Sequence, residues 1–209
     1  MGSTERRTRE RADTRQRILD AAREMFVERG YESTTMRAIA DRIEYTPTAI
    51  YHHFRNKGAL FAELSAADFR ALAAAFQKIG RIEDPIARLR RSGQVYVEFG
   101  LQHPMQYQLM FMTRKPADVP AGLPSADPSE DSYAFLQQTC ADAIATGRIR
   151  PEYRDPNELA LVAWSALHGF LSLRIVKNEN DWIPWGNPKT TGTRICDALL
   201  EGVLLERSR

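Results

Sequence analysis

A chain of 209 residues can hold one large domain or a small one joined to a larger one, and a hydrophobic content of 43% excludes global disorder. The formal net charge is only +2 and is unevenly placed: residues 1–60 carry 12 Lys+Arg against 9 Asp+Glu, the remainder 17 against 18. This small excess at one end suits a nucleic-acid-binding head on a neutral body without establishing one.

In chain order, residues 1–12 (MGSTERRTRERA) are polar, show no apolar period and read as a flexible basic arm, either a solvated tail or a source of extra phosphate contacts. No apolar stretch follows to make a secretory signal. Asp13 or Thr14 should then start a helix running to Arg29, with Ile18, Leu19, Ala22, Met25 and Phe26 at helical spacing and Gly30 ending it.

The stretch TTMRAIADRIEYTPTAIYHHFRNK, residues 34–57, predicts two short helices at a tight angle and the start of a third. Thr34 or Thr35 can cap a helix with Met36, Ile39, Ala40 and Ile43 on one face. Glu44 and Tyr45 interrupt it. Thr46 offers an N-cap oxygen and Pro47 the first helical position, where its missing N–H is harmless. Ala49, Ile50 and Phe54 can pack inward, leaving Thr48, Tyr51, His52 and His53 to present polar groups. That is the helix-turn-helix pattern, in which the second helix enters the major groove of DNA.

A fourth helix is predicted from Asn56 to about Ile79 and a fifth from Asp84-Pro85. His103-Pro104 breaks the fifth, and a short helix through Tyr107 and Phe111 follows. Residues 113–131, with Pro116, Pro120, Pro124 and Pro128, read as a loop long enough to be mobile or functional. Ser132 to Thr146 should be helical. Residues 157–177 form the most apolar helix, with Arg174 the only formal charge from Leu159 to Val176. A stretch with a central His168-Gly169 is at the short limit for a membrane span and reads instead as a helix buried on two sides. The last helix, expected over 193–206, adds Ile195, Leu199, Leu200, Val203 and Leu204, more apolar surface than one small domain needs. Cys140 and Cys196 are far apart with no CxxC spacing and read as reduced thiols of a cytoplasmic protein. There is no GxSxG, no Gly-rich phosphate loop and no HExxH, so no enzyme, metal site or cofactor is expected.

The residues Ile18 to Ala22, Phe26, Gly30-Tyr31, Thr34-Thr35, Ile39-Ala40, Ala49 to Phe54, Asn56-Lys57 and Leu60 resemble the N-terminal domain of the TetR family of transcriptional regulators. One departure falls in the turn, where the family usually has Gly, a small β-branched residue and Ser; this chain has Glu44, Tyr45 and Thr46. Further on, Trp164-x-x-x-His168-Gly169 and His103-Pro104-x-x-Tyr107-x-Leu109-Met110-Phe111 look like the WHG-domain subgroup of TetR-like regulators.

The resemblance implies an all-α fold: a helix-turn-helix DNA-binding domain over residues 13–60, then a helical ligand-binding and dimerisation domain over 61–209. It implies a homodimer on a near-palindromic operator in double-stranded DNA, formed through the last two helices (about 157–177 and 193–206) with Leu199 and Val203 in the contact. Tyr45, Thr46, Pro47 and Thr48 should lie nearest the base edges. Arg37 should contact a guanine or an added phosphate, and Thr35, Tyr51, His52 and Lys57 should bind phosphates. Phe99, Tyr107, Met110, Phe111, Phe135, Trp164 and His168 could line an apolar cavity for a small effector, or serve as ordinary core. Trp182 to Trp185 could cover the cavity mouth or pad the dimer edge. The expected activity is repression relieved by that effector; the alternative is an architectural or activating DNA binder without one.

Overall fold

A computed structural model describes residues 3–119, 127–177 and 182–205. Nine α-helices are defined among them: α1 (Ser3–Arg29), α2 (Met36–Arg42), α3 (Pro47–Tyr51), α4 (Lys57–Gln77), α5 (Pro85–Gln102), α6 (Pro104–Phe111), α7 (Ser132–Ala145), α8 (Pro156–Val176) and α9 (Pro188–Val203). No strand interrupts them among the described residues; Ile149 and Leu204 make one isolated antiparallel bridge. The all-α expectation holds.

Each boundary has a local cause. Asp84, Asp131, Asp155 and Asn187 are extended N-caps whose side chains accept from backbone N–H groups of the first turns of α5, α7, α8 and α9. Pro85, Pro156 and Pro188 then occupy the first helical turn. Gly30 closes α1 at φ 80° and Gly147 follows α7 at φ 71°, the left-handed region that glycine enters without a Cβ clash. Two sequence expectations move. α1 begins at Ser3, not Asp13 or Thr14, so described residues 3–12 are helical instead of a flexible arm. Their Arg and Glu residues are good helix formers, and Arg6 pairs with Glu10 one turn on at 3.5 Å. α9 begins at Pro188, before the expected Thr193, because Asn187 caps it; it ends at Val203, where Leu204 turns extended to pair with Ile149.

The chain divides into two compact units. The first holds residues up to Asp68 together with Met105 to Val119; the second holds Phe69 to Pro104 and the described residues from Asp127 onward. The division therefore falls inside α4, not at residue 60. In the first unit, Ile18, Ala22, Met25 and Phe26 of α1 pack with Ile39, Ile50, Leu60 and Leu64, and with Leu109 and Val119 from further along the chain. Full burial of each large aliphatic side chain is worth about 1.5–3 kcal/mol. Phe26, Tyr31 and Phe61 form an aromatic trio with centroids 5.2 to 5.5 Å apart. The segment after α6 completes the unit: Pro116 is buried, Val119 enters the core, and the Tyr31 hydroxyl donates to Asp118 Oδ2 at 2.7 Å. Residues 120–126 of the predicted loop lie outside the described residues.

Arg23 of α1, Asp68 of α4 and Gln106 of α6 meet in the same unit. Asp68 is 1% exposed, and its Oδ1 accepts from Arg23 Nη2 at 2.7 Å and from Gln106 Nε2 at 2.9 Å. Its Oδ2 and Arg23 Nε are buried without a partner.

In the second unit, α5 packs on α7, α8 and α9. Ile86, Leu89, Cys140, Ala143, Ile149, Leu159, Ala160 and Val203 form one of its cores. Two glycines set the approach of α5 and α9. A methyl at Gly93 would lie 2.6 Å from Cys196 Sγ, and one at Gly192 would lie 2.8 and 2.9 Å from the two γ-methyls of Val97. α8 is the one helix, among the described residues, long and apolar enough to cross a membrane by length and composition. Leu159, Ala160, Leu167 and Leu171 are buried on one side of it, whereas Leu161, Leu173 and Val176 are 41%, 56% and 57% exposed. The expectation of a helix covered on both sides is met on one side within a single chain.

Candidate nucleic-acid interface

The turn between α2 and α3 is built by the residue that departs from the usual pattern. Glu44 sits at φ 60°, the only positive φ of a non-glycine among the described residues. Tyr45 N–H donates to Ala40 O at 2.9 Å and Glu44 N–H to Asp41 O at 3.3 Å. This is the six-to-one and five-to-two pair of a Schellman motif, with Glu44 in the left-handed position that glycine usually fills. The Tyr45 ring supplies the accompanying apolar contact against the core, and Arg17 lies over it at 5.2 Å. A side chain in this conformation costs about 1–2 kcal/mol, against the 0.5–1 kcal/mol that glycine loses in conformational freedom. Glu44→Gly should therefore raise the stability by about 0.5–1 kcal/mol, read by chemical denaturation. A destabilised variant would show that the Glu44 side chain contributes more than its backbone strain.

From this turn α3 starts with its first residues outward. Thr46 is the N-cap, its hydroxyl accepting from Ala49 N–H at 3.3 Å, and Pro47 takes the first helical position. Ile50 is fully buried and Phe54 nearly so, which fixes the roll of the helix. Thr46, Thr48, Tyr51 and His52 are exposed as a result, and Pro47 is half-buried. At the start of α2, Thr35 is the cap that accepts from Ala38 N–H at 3.1 Å. Thr34 is fully buried and donates instead to Gly30 O at 2.8 Å, which settles which threonine caps. Arg37, two residues after the Thr35 cap, is exposed.

Two assigned residues carry structural work. Tyr45 is half-buried with Arg17 over its ring. Lys57 donates to Tyr31 O at 2.7 Å and lies 4.1 Å over the Tyr31 ring, so its ammonium group already has a carbonyl partner inside the unit. Asn56 accepts from Ala59 N–H at 2.7 Å and caps α4 as expected. His53, expected to face outward, is half-buried with Nδ1 unpartnered. Burial lowers its pKa below the ordinary histidine value, and the charges of Arg11, Arg15 and His52 lower it further. Arg55, exposed between His52 and Lys57, carries no role in the sequence reading, although its place among the motif residues could have flagged it.

The residues expected to line an effector cavity are divided. Tyr107, Met110 and Phe111 belong to the first unit, where Tyr107 is fully buried and its ring lies 5.0 Å from Phe111. Phe99, Phe135, Trp164 and His168 belong to the second. There Trp164 Nε1 donates to the Tyr96 hydroxyl at 2.8 Å and its ring lies 5.7 Å from Tyr133. Phe135 stacks on Phe76 at 5.4 Å, and Phe99 lies 5.0 Å from His103. The His168 ring is 6.1 Å from Trp164, and burial lowers its pKa below the ordinary value. Trp182 is 74% exposed, while Trp185 donates to Lys177 O at 3.1 Å beneath Arg174. Cys140 and Cys196 are both buried, and burial raises their thiols to about 12 and about 11, the wrong direction for a nucleophile. No cluster of metal-ligating side chains occurs among the described residues.

Sequence models agree with this geometry. One described as "Bacterial regulatory proteins, tetR family" matches residues 18–64, and one described as "Tetracyclin repressor-like, C-terminal domain" matches residues 89–184. The chain belongs to the TetR family of transcriptional regulators. Its members are DNA-binding regulators and not enzymes. Among curated TetR-type relatives, the HTH-type transcriptional repressor Rv1474c of Mycobacterium tuberculosis is 42% identical over 71 residues, which is 34% of this chain and 38% of that protein. The chain thus spans little more than a third of the length of the curated relatives it matches. Solved structures share the fold over nearly the whole length. The ketosteroid transcriptional regulator KstR2 of M. tuberculosis superposes with a TM-score of 0.68 at 20% identity, covering 92% of this chain and 96% of that one. The TetR family transcriptional regulator PfmR from Thermus thermophilus gives 0.66 at 24%, covering 91% and 99%.

Proposed function

We propose that this TetR-family chain is a cytoplasmic, sequence-specific DNA-binding repressor that works as a homodimer. One observation carries the reading: a short helix anchored by buried Ile50 and Phe54 presents Thr46, Thr48, Tyr51 and His52 to solvent. These side chains suit major-groove reading by apolar and single hydrogen-bond contacts. Thr46, Pro47 and Thr48 lie nearest the bases, with Tyr45 at their edge. Thr35, Arg37, Tyr51 and His52 hold phosphates, and Lys57 contributes with the N–H donors not engaged by Tyr31.

The uncovered side of α8, with Leu161, Leu173 and Val176, supports pairing with a second copy. The expectation for Val203 changes: it is 4% exposed in the second unit's own core, so it is not a contact of the dimer. A small, largely apolar effector fits the family and the WHG-like motif around Trp164 and His168. Binding better to the state that holds DNA poorly, it would lower DNA affinity by linkage.

Selection from a random DNA pool at two salt concentrations tests the reading. Enrichment of one near-palindrome, with affinity falling steeply in salt, is expected. Thr48→Ala should then shift the preferred bases by about 1–3 kcal/mol at its position. Binding without any enriched sequence would overturn the specific-repressor reading.

A further inference from the structure

The first turns of α1 run beyond the first unit's core as an exposed helix. Residues 4–13 are all exposed. At about 100° per residue, Arg7, Arg11 and Arg15 fall on one narrow arc, and Ile18, fully buried, lies on the same arc. The side of the helix that carries these arginines is therefore the side that faces the unit. Arg15 shows what that side meets: it pairs with Glu63 of α4 and lies 4.5 Å over the Phe54 ring, just past the end of α3. Arg11 and Arg7 follow one and two turns earlier. Neither has a hydrogen bond or ion pair among the described residues, and Arg11 is close enough to His53 to depress its protonation.

A stripe of like charges at four-residue spacing works against its own helix. That penalty is relieved when an anion lies along the stripe. The anion must be extended and must reach the end of α3, because Arg15 lies over Phe54 and Arg11 lies near His53, the residues that directly follow Tyr51 and His52. A DNA backbone meets both conditions.

We propose that Arg7 and Arg11 are a phosphate clamp, and that the first turns of α1 lie along the backbone flanking the sequence read by α3. This rests on the DNA-binding reading above. Arg7 and Arg11 position the duplex without reading bases. Arg6, paired with Glu10, and Arg9 lie on the other side of the helix and take no part.

The test compares Arg7→Gln/Arg11→Gln with Arg6→Gln/Arg9→Gln, since Gln keeps helix propensity. Both are titrated with the operator recovered by random-pool selection. The first pair should bind severalfold more weakly, with unchanged base preference and a salt slope lower by about two, at ~0.9 per phosphate released. The second pair should behave as wild type. Equal losses in both pairs, or no loss in the first, overturn the clamp. Ethylation interference on the wild-type complex gives an answer independent of any variant's folding: flanking phosphates whose modification blocks binding are expected, and their absence overturns the clamp. If the wild-type chain selects no operator, the DNA-binding reading falls and the clamp with it, an outcome distinct from a wild type that binds and a clamp variant that binds equally well.

Discussion

Asp68→Ala should destabilise the first unit by about 3–5 kcal/mol, the range for removing one partner of a buried ion pair. The carboxylate is 1% exposed and accepts from both Arg23 and Gln106. Its removal leaves the Arg23 guanidinium, whose side chain is 14% exposed, with only the half-exposed Asp20, 3.2 Å from Nη1, as counter-charge, and strands the Gln106 amide. The network is already incompletely satisfied, with Asp68 Oδ2 and Arg23 Nε lacking partners, so the pair has little surplus to lose. Calorimetry should show a lower transition. Replacing both ions, Arg23→Met with Asp68→Leu, should cost less than either single loss, because no uncompensated charge remains. Additive losses in the double variant would show that the two residues act independently and would refute a pair.

The second large effect is expected at Gly192→Ala. A helical glycine replaced by alanine gains up to about 1 kcal/mol from propensity alone. Here the added methyl would meet Val97 Cγ1 at 2.8 Å, Cγ2 at 2.9 Å and Cβ at 3.2 Å. A β-branched side chain in a helix is held in one χ1 rotamer, so neither methyl can swing away. Overpacking costs about 1–3 kcal/mol, and the net result should be a loss measurable by urea unfolding. Val97→Ala in the same chain should recover part of it, giving a coupling of at least about 0.5 kcal/mol in a double-mutant cycle. Zero coupling would place the strain elsewhere.

The head is legible in the sequence because its chemistry is local. Caps, a proline at the first helical position and an apolar face at three- and four-residue spacing announce α2 and α3 from adjacent residues. The Glu44 turn can be flagged for the same reason, since the conformation it must adopt follows from its place in the motif. The first turns of α1 escape a search for apolar periodicity, because an Arg- and Glu-rich helix has none. Lys57 illustrates a different limit. Its carbonyl partner belongs to Tyr31, 26 positions away, and nothing in the spacing of the two residues reveals the contact. The effector residues are the least legible. Trp164 and His168 do share a helix face, but Tyr107, Met110 and Phe111 fall in the other unit, a division that tertiary packing makes and sequence spacing does not show.

The recruitment of Leu109 and Val119 into the first core bears on the order in which the molecule can assemble. The motif-bearing segment matched by the family ends at residue 64, yet the core around Ile18, Phe26 and Leu60 is completed by residues that come much later. During synthesis the early helices must wait for the chain through Val119 to leave the ribosome. Until then they hold an apolar opening where Leu109 and Val119 will sit. Closing that long loop carries an entropic cost that a contiguous three-helix head would not face, so maturation of the DNA-binding unit should be slower than its helical content suggests. A fragment cut after residue 64 would keep the whole helix-turn-helix motif and still lack part of its own interior.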